Sequence, residues 1–139
     1  MAAKISLNLK RNLFFKMRKR ESEWKDENEF LNYWLEELRK FEGMIIVEGI
    51  NDKKALAFFE IKNVIRLNKP LYAVCEDVSE RFKQVVILTD LDKKGKELYG
   101  KLNTDLQKFG VKIDNWFREV LFRKTKLRQI EGLRRYVIR

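Results

Sequence analysis

Three acidic residues stand where short apolar runs stop. Glu48 follows Met44-Ile45-Ile46-Val47, and Asp90 and Asp92 follow Val85-Val86-Ile87-Leu88-Thr89. A continuous run of this length and apolar character is what a strand buried on both faces requires. Side chains that leave the carboxyl ends of parallel strands gather at one edge of the sheet, and open α/β sheets bind their ligands there. Asp90 and Asp92 are two residues apart, so in extended backbone they face the same way. Glu48, Asp90 and Asp92 are therefore expected to share a divalent cation. Glu48, set back from the aspartate pair, is also placed to exchange a proton with an attacking or leaving oxygen. Asp52 reads as a cap of the helix after Glu48-Gly49, with a role at the site left open.

Composition narrows the metal. The chain has one cysteine, Cys75, and no histidine, which excludes an intramolecular disulfide and the usual zinc ligand sets. Oxygen ligands favour magnesium, with manganese as the alternative. Such an ion stabilises the charge that builds on phosphate oxygens during phosphoryl transfer by on the order of several kcal/mol. Each fragment also has a structural reading. Glu48-Gly49 suits a turn before a helix, and Asp92 ahead of Lys93-Lys94 is a natural helix N-cap.

The net charge of +10 lies at the two ends. Residues 1–20 hold seven Lys or Arg and no acid, and residues 117–139 hold eight basic residues against two acids, leaving about −3 for residues 21–116. Basic ends around a mildly acidic middle suggest a polyanion gripped by the ends while chemistry occurs between them. The residues assigned to nucleic-acid contact are Arg11, Lys16, Arg18, Lys19 and Arg20 at the start, Lys93 and Lys94 beside the aspartates, and Arg118, Arg123, Lys124, Lys126, Arg128, Arg134 and Arg135 at the end. Phe14, Phe15, Trp116, Phe117, Phe122 and Tyr136 lie among these cations. Such rings stack on unpaired bases, or else form the buried face of amphipathic helices. No apolar run is long enough to span a membrane and no cleavable signal is evident, so a cytoplasmic protein without membrane contact is expected.

The elements that must hold the site are legible from periodicity. A helix capped by Ser22 or Asp26 and running to about residue 41 carries Phe30, Leu31, Trp34, Leu35, Leu38 and Phe41 on one face. Strand 44–47 follows, then a helix from Asn51 or Asp52 to about residue 59. A strand at 63–67 precedes Pro70, a weaker strand is expected at 71–74, and one or two helical turns at 76–82. Strand 85–89 runs into the Asp pair, a helix marked by Leu98, Leu102, Leu106 and Phe109 ends at Gly110, and a last strand is expected over 111–117. Alternation of strands and helices implies an α/β fold with a mostly parallel sheet of about four strands flanked by helices, compact and Rossmann-like. In 139 residues there is room for one core of ordinary size. The expected organisation is a basic arm and amphipathic helix over 1–42, the α/β domain over 43–116, and a basic extension over 117–139.

The segments Ile45-Ile46-Val47-Glu48-Gly49-Ile50-Asn51-Asp52 and Val86-Ile87-Leu88-Thr89-Asp90-Leu91-Asp92-Lys93-Lys94-Gly95 resemble the Toprim family. That domain is shared by topoisomerases, bacterial primases, recombination proteins and a ribonuclease that matures small ribosomal RNA. The likeness covers about residues 43–116 and is strongest to small stand-alone archaeal Toprim proteins and to the maturation ribonuclease. It implies a compact parallel-sheet fold, Glu48 as general acid or base, and Asp90 and Asp92 as magnesium ligands. The sequence departs from the ribonuclease-like pattern at Lys96, where those members often carry an acid directly after the glycine; here Glu97 comes one place later. No nucleophilic-tyrosine domain or zinc module accompanies the motif, so whole topoisomerase or primase activity is not implied. Tyr99 and Tyr136 have no context for covalent catalysis.

The function expected from these readings is magnesium-dependent phosphotransfer or nuclease-like action on structured RNA, favoured over DNA. The alternative is a non-catalytic RNA-binding module on the same scaffold, associated with the ribosome or a larger nucleic-acid machine.

Overall fold

The computed structural model describes Arg18 and residues 24–138. Arg11, Phe14, Phe15, Lys16, Lys19, Arg20 and Ser22 lie outside the described residues. Helix α1 (Glu27–Lys40) is started by Asp26, whose carboxylate accepts the Glu29 N–H at 2.8 Å. Glu27 and Glu29 in its first turn and Arg39 and Lys40 in its last complement the helix dipole. Phe30, Leu31, Trp34, Leu35 and Leu38 return at three- and four-residue steps and are all buried.

The chain then alternates β1 (Met44–Val47), α2 (Ile50–Phe58), β2 (Val64–Arg66), α3 (Leu71–Arg81), β3 (Gln84–Leu88), α4 (Lys93–Lys108), β4 (Lys112–Ile113) and α5 (Trp116–Lys124), and closes with a 3-10 turn (Ile130–Gly132) and α6 (Leu133–Ile138). The four strands form one sheet in the order β2-β1-β3-β4 with every neighbouring pair parallel. Parallel neighbours need crossover connections, which cover both faces with helices. Period-two alternation divides the central strands. Ile45, Val47, Val86 and Leu88 pack toward α1, α2, α5 and the C-terminal segment, whereas Met44, Ile46, Val85 and Ile87 pack toward α3 and α4. The result is the expected α/β architecture, with β1 and β3 buried at its centre. No helix among the described residues is long and apolar enough to cross a membrane.

Two segments differ from the sequence expectation. Residues 71–74 open helix α3 instead of forming a strand, because the side chains that reach the core are Val74, Cys75 and Val78, a helical spacing. Residues 111–117 pair only at Lys112–Ile113 before α5 begins, since Phe117, Val120 and Leu121 are buried at helical intervals.

The C-terminal segment is also more than an extension. Phe117, Val120, Leu121, Leu127, Ile130 and Leu133 belong to the same core as α1, and the Trp34 indole N–H donates to the Phe117 carbonyl at 2.9 Å. Phe117 is fully buried, Phe122 is buried, and Trp116 and Tyr136 pack against this core, which is the structural reading of those rings. Leu121→Ala should therefore lower the unfolding free energy by about 3 kcal/mol, as large-to-small changes in a closed core do. Urea denaturation measures this, and a loss under about 1 kcal/mol would show that the segment is peripheral.

Candidate functional site

β1 and β3 are neighbours, yet the chain leaves them in opposite directions: the crossover from β1 leads outward to β2, and that from β3 leads outward to β4. Such a reversal opens a crevice at the carboxyl ends of the two strands. Val47 is paired with Leu88 at the last rung, so Glu48 and the Thr89-Asp90 pair emerge side by side. There Glu48 Oε2 accepts the Asp90 N–H at 2.7 Å. The side chain thus completes the ladder where the backbone partner runs out.

Asp90 is fixed from two further directions. Its Oδ1 accepts the Ile130 N–H at 2.8 Å, and its carbonyl accepts from Arg118 Nη2 at 2.8 Å. Asp92 turns to helix α4, where Oδ1 accepts the Gly95 N–H at 2.7 Å as an N-cap. Gly95 lies so close under the loop that a Cβ there would overlap the Asp90 carbonyl, and its own carbonyl accepts the Thr89 hydroxyl at 2.7 Å. The glycine of the Asp-x-Asp-x-x-Gly motif is thus required by crowding. Asp52, buried to 5% exposure, caps α2 by accepting the Gly49 N–H at 3.0 Å.

Burial lifts the Asp90 carboxyl to about 6, and the charges of Asp52, Glu48 and Asp92 push the same way against the Ile130 N–H. Asp52 is raised for the same first reason, with Glu48 and Glu131 adding to it. Arg118, itself lowered by burial, feels the negative field of Glu48, Asp90 and Asp92. The crevice therefore holds more acid than it neutralises.

A magnesium or manganese ion is implied by the resemblance, and the donors are hard oxygens of the kind it takes. Among the described residues no group of three acidic, cysteine or histidine side chains stands ready to enclose an ion. The bonds above engage one oxygen of each of Glu48, Asp90 and Asp92. This set fits an ion that keeps most of its water and completes its shell with a phosphate, as magnesium does, and does not fit a cage made of protein alone.

The basic residues divide into two groups. Lys93 and Lys94 are exposed at the start of α4, next to the aspartates, and Arg123, Lys124, Lys126, Arg134 and Arg135 are exposed along the C-terminal segment. The donors of Arg18, Arg118 and Arg128 are directed to carboxylate or carbonyl oxygens of the protein, and Arg134, though exposed, lies over the Phe58 ring at 4.0 Å. Arg18 grips Asp114 with both terminal nitrogens and lies over the Trp116 and Phe117 rings. Arg118 is buried on the carbonyls of Thr89 and Asp90, and Arg128 Nη1 caps the end of α5 and its loop through the Thr125 and Leu127 carbonyls. The Ile130 N–H has no sequence signal, since every residue except proline carries one. Arg118 was visible as a cation, but nothing in its sequence context points inward.

Comparison places the chain among known proteins. No family model matches it. Over 100 residues it is 38% identical to a UPF0292 protein of Thermococcus gammatolerans, a match covering 71% of this chain and 74% of that one. A UPF0292 protein of Pyrococcus horikoshii is 41% identical over 103 residues, covering 71% and 77%. The solved structure of an Aquifex aeolicus protein superposes with a TM-score of 0.70 at 38% identity, covering 73% of this chain and 96% of that one.

The raised Asp90 carboxyl makes stability pH-dependent with a definite sign. Between its ordinary value of 3.8 and about 6 the folded protein holds a proton that the unfolded chain has released. The contribution of Asp90 to stability is thus fully present below about pH 4 and is lost as pH rises through about 6. In Asp90→Asn this part of the slope disappears, leaving the smaller slope of the same sign from Asp52. The variant should exceed the wild type in stability at about pH 7 without added divalent ion. Denaturation midpoints across this range check it; an unchanged slope in D90N would contradict the assignment.

Proposed function

We propose that this chain, which belongs to the UPF0292 family, is a nucleic-acid-binding protein of the Toprim type. In this reading it carries out divalent-metal-dependent phosphotransfer or nuclease-like chemistry on structured RNA, favoured over DNA. The observation that carries this reading is the meeting of Glu48 and Asp90 at the strand-order reversal, joined at 2.7 Å in a crevice with excess acid. Acidic groups crowded at such a point repel a phosphodiester unless a cation lies between them.

Magnesium or manganese bound at Glu48 and Asp90, with Asp92 beside them, would supply Lewis-acid stabilisation of charge on phosphate oxygens. The chain's own residues do the rest. Glu48 engages Asp90 through Oε2 alone, leaving its other oxygen to exchange a proton with an attacking or leaving group. Lys93 and Lys94 draw phosphates to the same edge, and the exposed cations of residues 123–135 extend the track.

One observation favours a second reading, a binding module without catalysis. Asp92 is already committed to the N-terminus of α4 and does not converge with the other two carboxylates on one point.

A two-part experiment decides between them. Binding of a fluorescent RNA hairpin should weaken steeply with salt, and Lys93→Glu combined with Lys94→Glu should cost at least about tenfold in affinity. Glutamates suit the first turn of a helix, so the fold should survive this change. Asp90→Asn and Asp92→Asn should retain binding and, with manganese present, lose at least about a hundredfold in cleavage. Cleavage equal to wild type in both variants refutes phosphotransfer at this site. Salt-dependent binding with no product under either ion establishes the binding module.

A further inference from the structure

Residues 89–91 lie past the last rung of β3, so their backbone groups have no sheet partner and must be satisfied elsewhere. The Asp90 N–H goes to Glu48, and four further bonds to the loop come from the C-terminal segment. The Thr89 carbonyl accepts from Arg118 Nε at 2.9 Å and the Asp90 carbonyl from Arg118 Nη2 at 2.8 Å. The Leu91 N–H donates to the Arg128 carbonyl at 2.8 Å, and the Ile130 N–H donates to the Asp90 carboxylate.

Arg118 is suited to this position. One edge of a guanidinium presents two parallel donors, which here span two consecutive carbonyls; a lysine ammonium cannot reproduce that fork. The group is 9% exposed and lies over the Tyr99 ring at 4.8 Å and the Phe122 ring at 5.3 Å, contacts that fix its plane. Its charge also faces Glu48, Asp90 and Asp92. These bonds are supplied from outside both sequence motifs.

We propose that Arg118 is a positioning residue: with the Ile130 N–H it holds the Thr89-Asp90-Leu91 loop so that the Asp90 carboxylate is set for a divalent cation. The cation half rests on the function proposed above, and the loop half does not. Groups that orient metal ligands through hydrogen bonds change metal affinity by about ten- to a hundredfold when altered.

The test uses the full chain and Arg118→Lys, which keeps the charge and loses the fork. Amide hydrogen exchange of the metal-free protein should be at least about tenfold faster at Asp90 and Leu91, with the Ile45 and Ile46 amides unchanged. Manganese affinity, read by electron paramagnetic resonance, should fall about tenfold with both proteins fully folded at the assay temperature. Unchanged exchange at Asp90 and Leu91 overturns the proposal, and so does faster exchange with equal manganese affinity, which would leave Arg118 a structural role only. If manganese does not bind the wild type, the cation reading fails and the exchange arm still decides whether Arg118 holds the loop. Should R118K not fold, Ile130→Pro removes the other donor and is read against Ile130→Ala, which also loses the buried Ile130 side chain but keeps the N–H. Gln129, at φ −128° and ψ 132°, already has the backbone that precedes proline, and the same two readings apply.

Discussion

The hydrogen bond from the Asp90 N–H to the Glu48 carboxylate is the contact on which the site depends. β1 and β3 hold each other through backbone pairs as far as Val47 and Leu88. One residue beyond, a strand would ordinarily diverge into loop and expose its amides to water. Here an acidic side chain takes the place of the missing carbonyl. A charged acceptor makes a stronger bond than a neutral one, so the two strand ends stay together although their following helices lie in separate layers. The same substitution brings a second carboxylate to the first.

That closeness has an electrostatic cost, and the surrounding structure answers it only in part. Backbone N–H groups of Ile130, Gly95 and Gly49 each serve one carboxylate, and such bonds favour the ionised form. The Arg118 guanidinium lies close by, but its donors are directed to the carbonyls of Thr89 and Asp90. The Asp90 carboxyl is lifted to about 6, first by burial and then by the charges of Asp52, Glu48 and Asp92. A crevice arranged in this way is stabilised by whatever brings positive charge to it. Protons do so at low pH, and a hard divalent ion can do so at neutral pH.

Much of this could be read in the sequence because β1 and β3 are continuous apolar runs followed by acids at their ends. Two strands of that kind, in a chain that alternates strand and helix, are enough to predict a parallel sheet with both acids at one edge. The same reasoning failed where the run was short. Leu71-Tyr72-Ala73-Val74 is too brief to show a period, and only the burial of Val74, Cys75 and Val78 reveals the helix. At residues 111–117 the alternation is genuine for two residues and then yields to helical spacing. Asp92 had two readings, and its cap is plain once Gly95 is seen beneath the loop. The supports of the loop were hidden for a different reason: Arg128 accepts through its carbonyl and Ile130 donates through its N–H, and side-chain identity says nothing about either.

The basic ends show how far composition can be carried. Charge counted along the chain treats every arginine as surface, yet an arginine can be buried when carbonyls or a carboxylate meet its donors. Arg18 on Asp114 and Arg118 on the Thr89 and Asp90 carbonyls are of that kind, so neither guanidinium is presented to a ligand as the sequence alone suggested. Of the described cations assigned to nucleic acid, those that face outward lie at the start of α4 and along residues 123–135. The latter stretch contains the backbone groups that hold Leu91 and Asp90. A polyanion gathered on that face would therefore lie on the element that positions the Asp90 carboxylate, and ligand binding and site geometry would act on each other through one short length of chain.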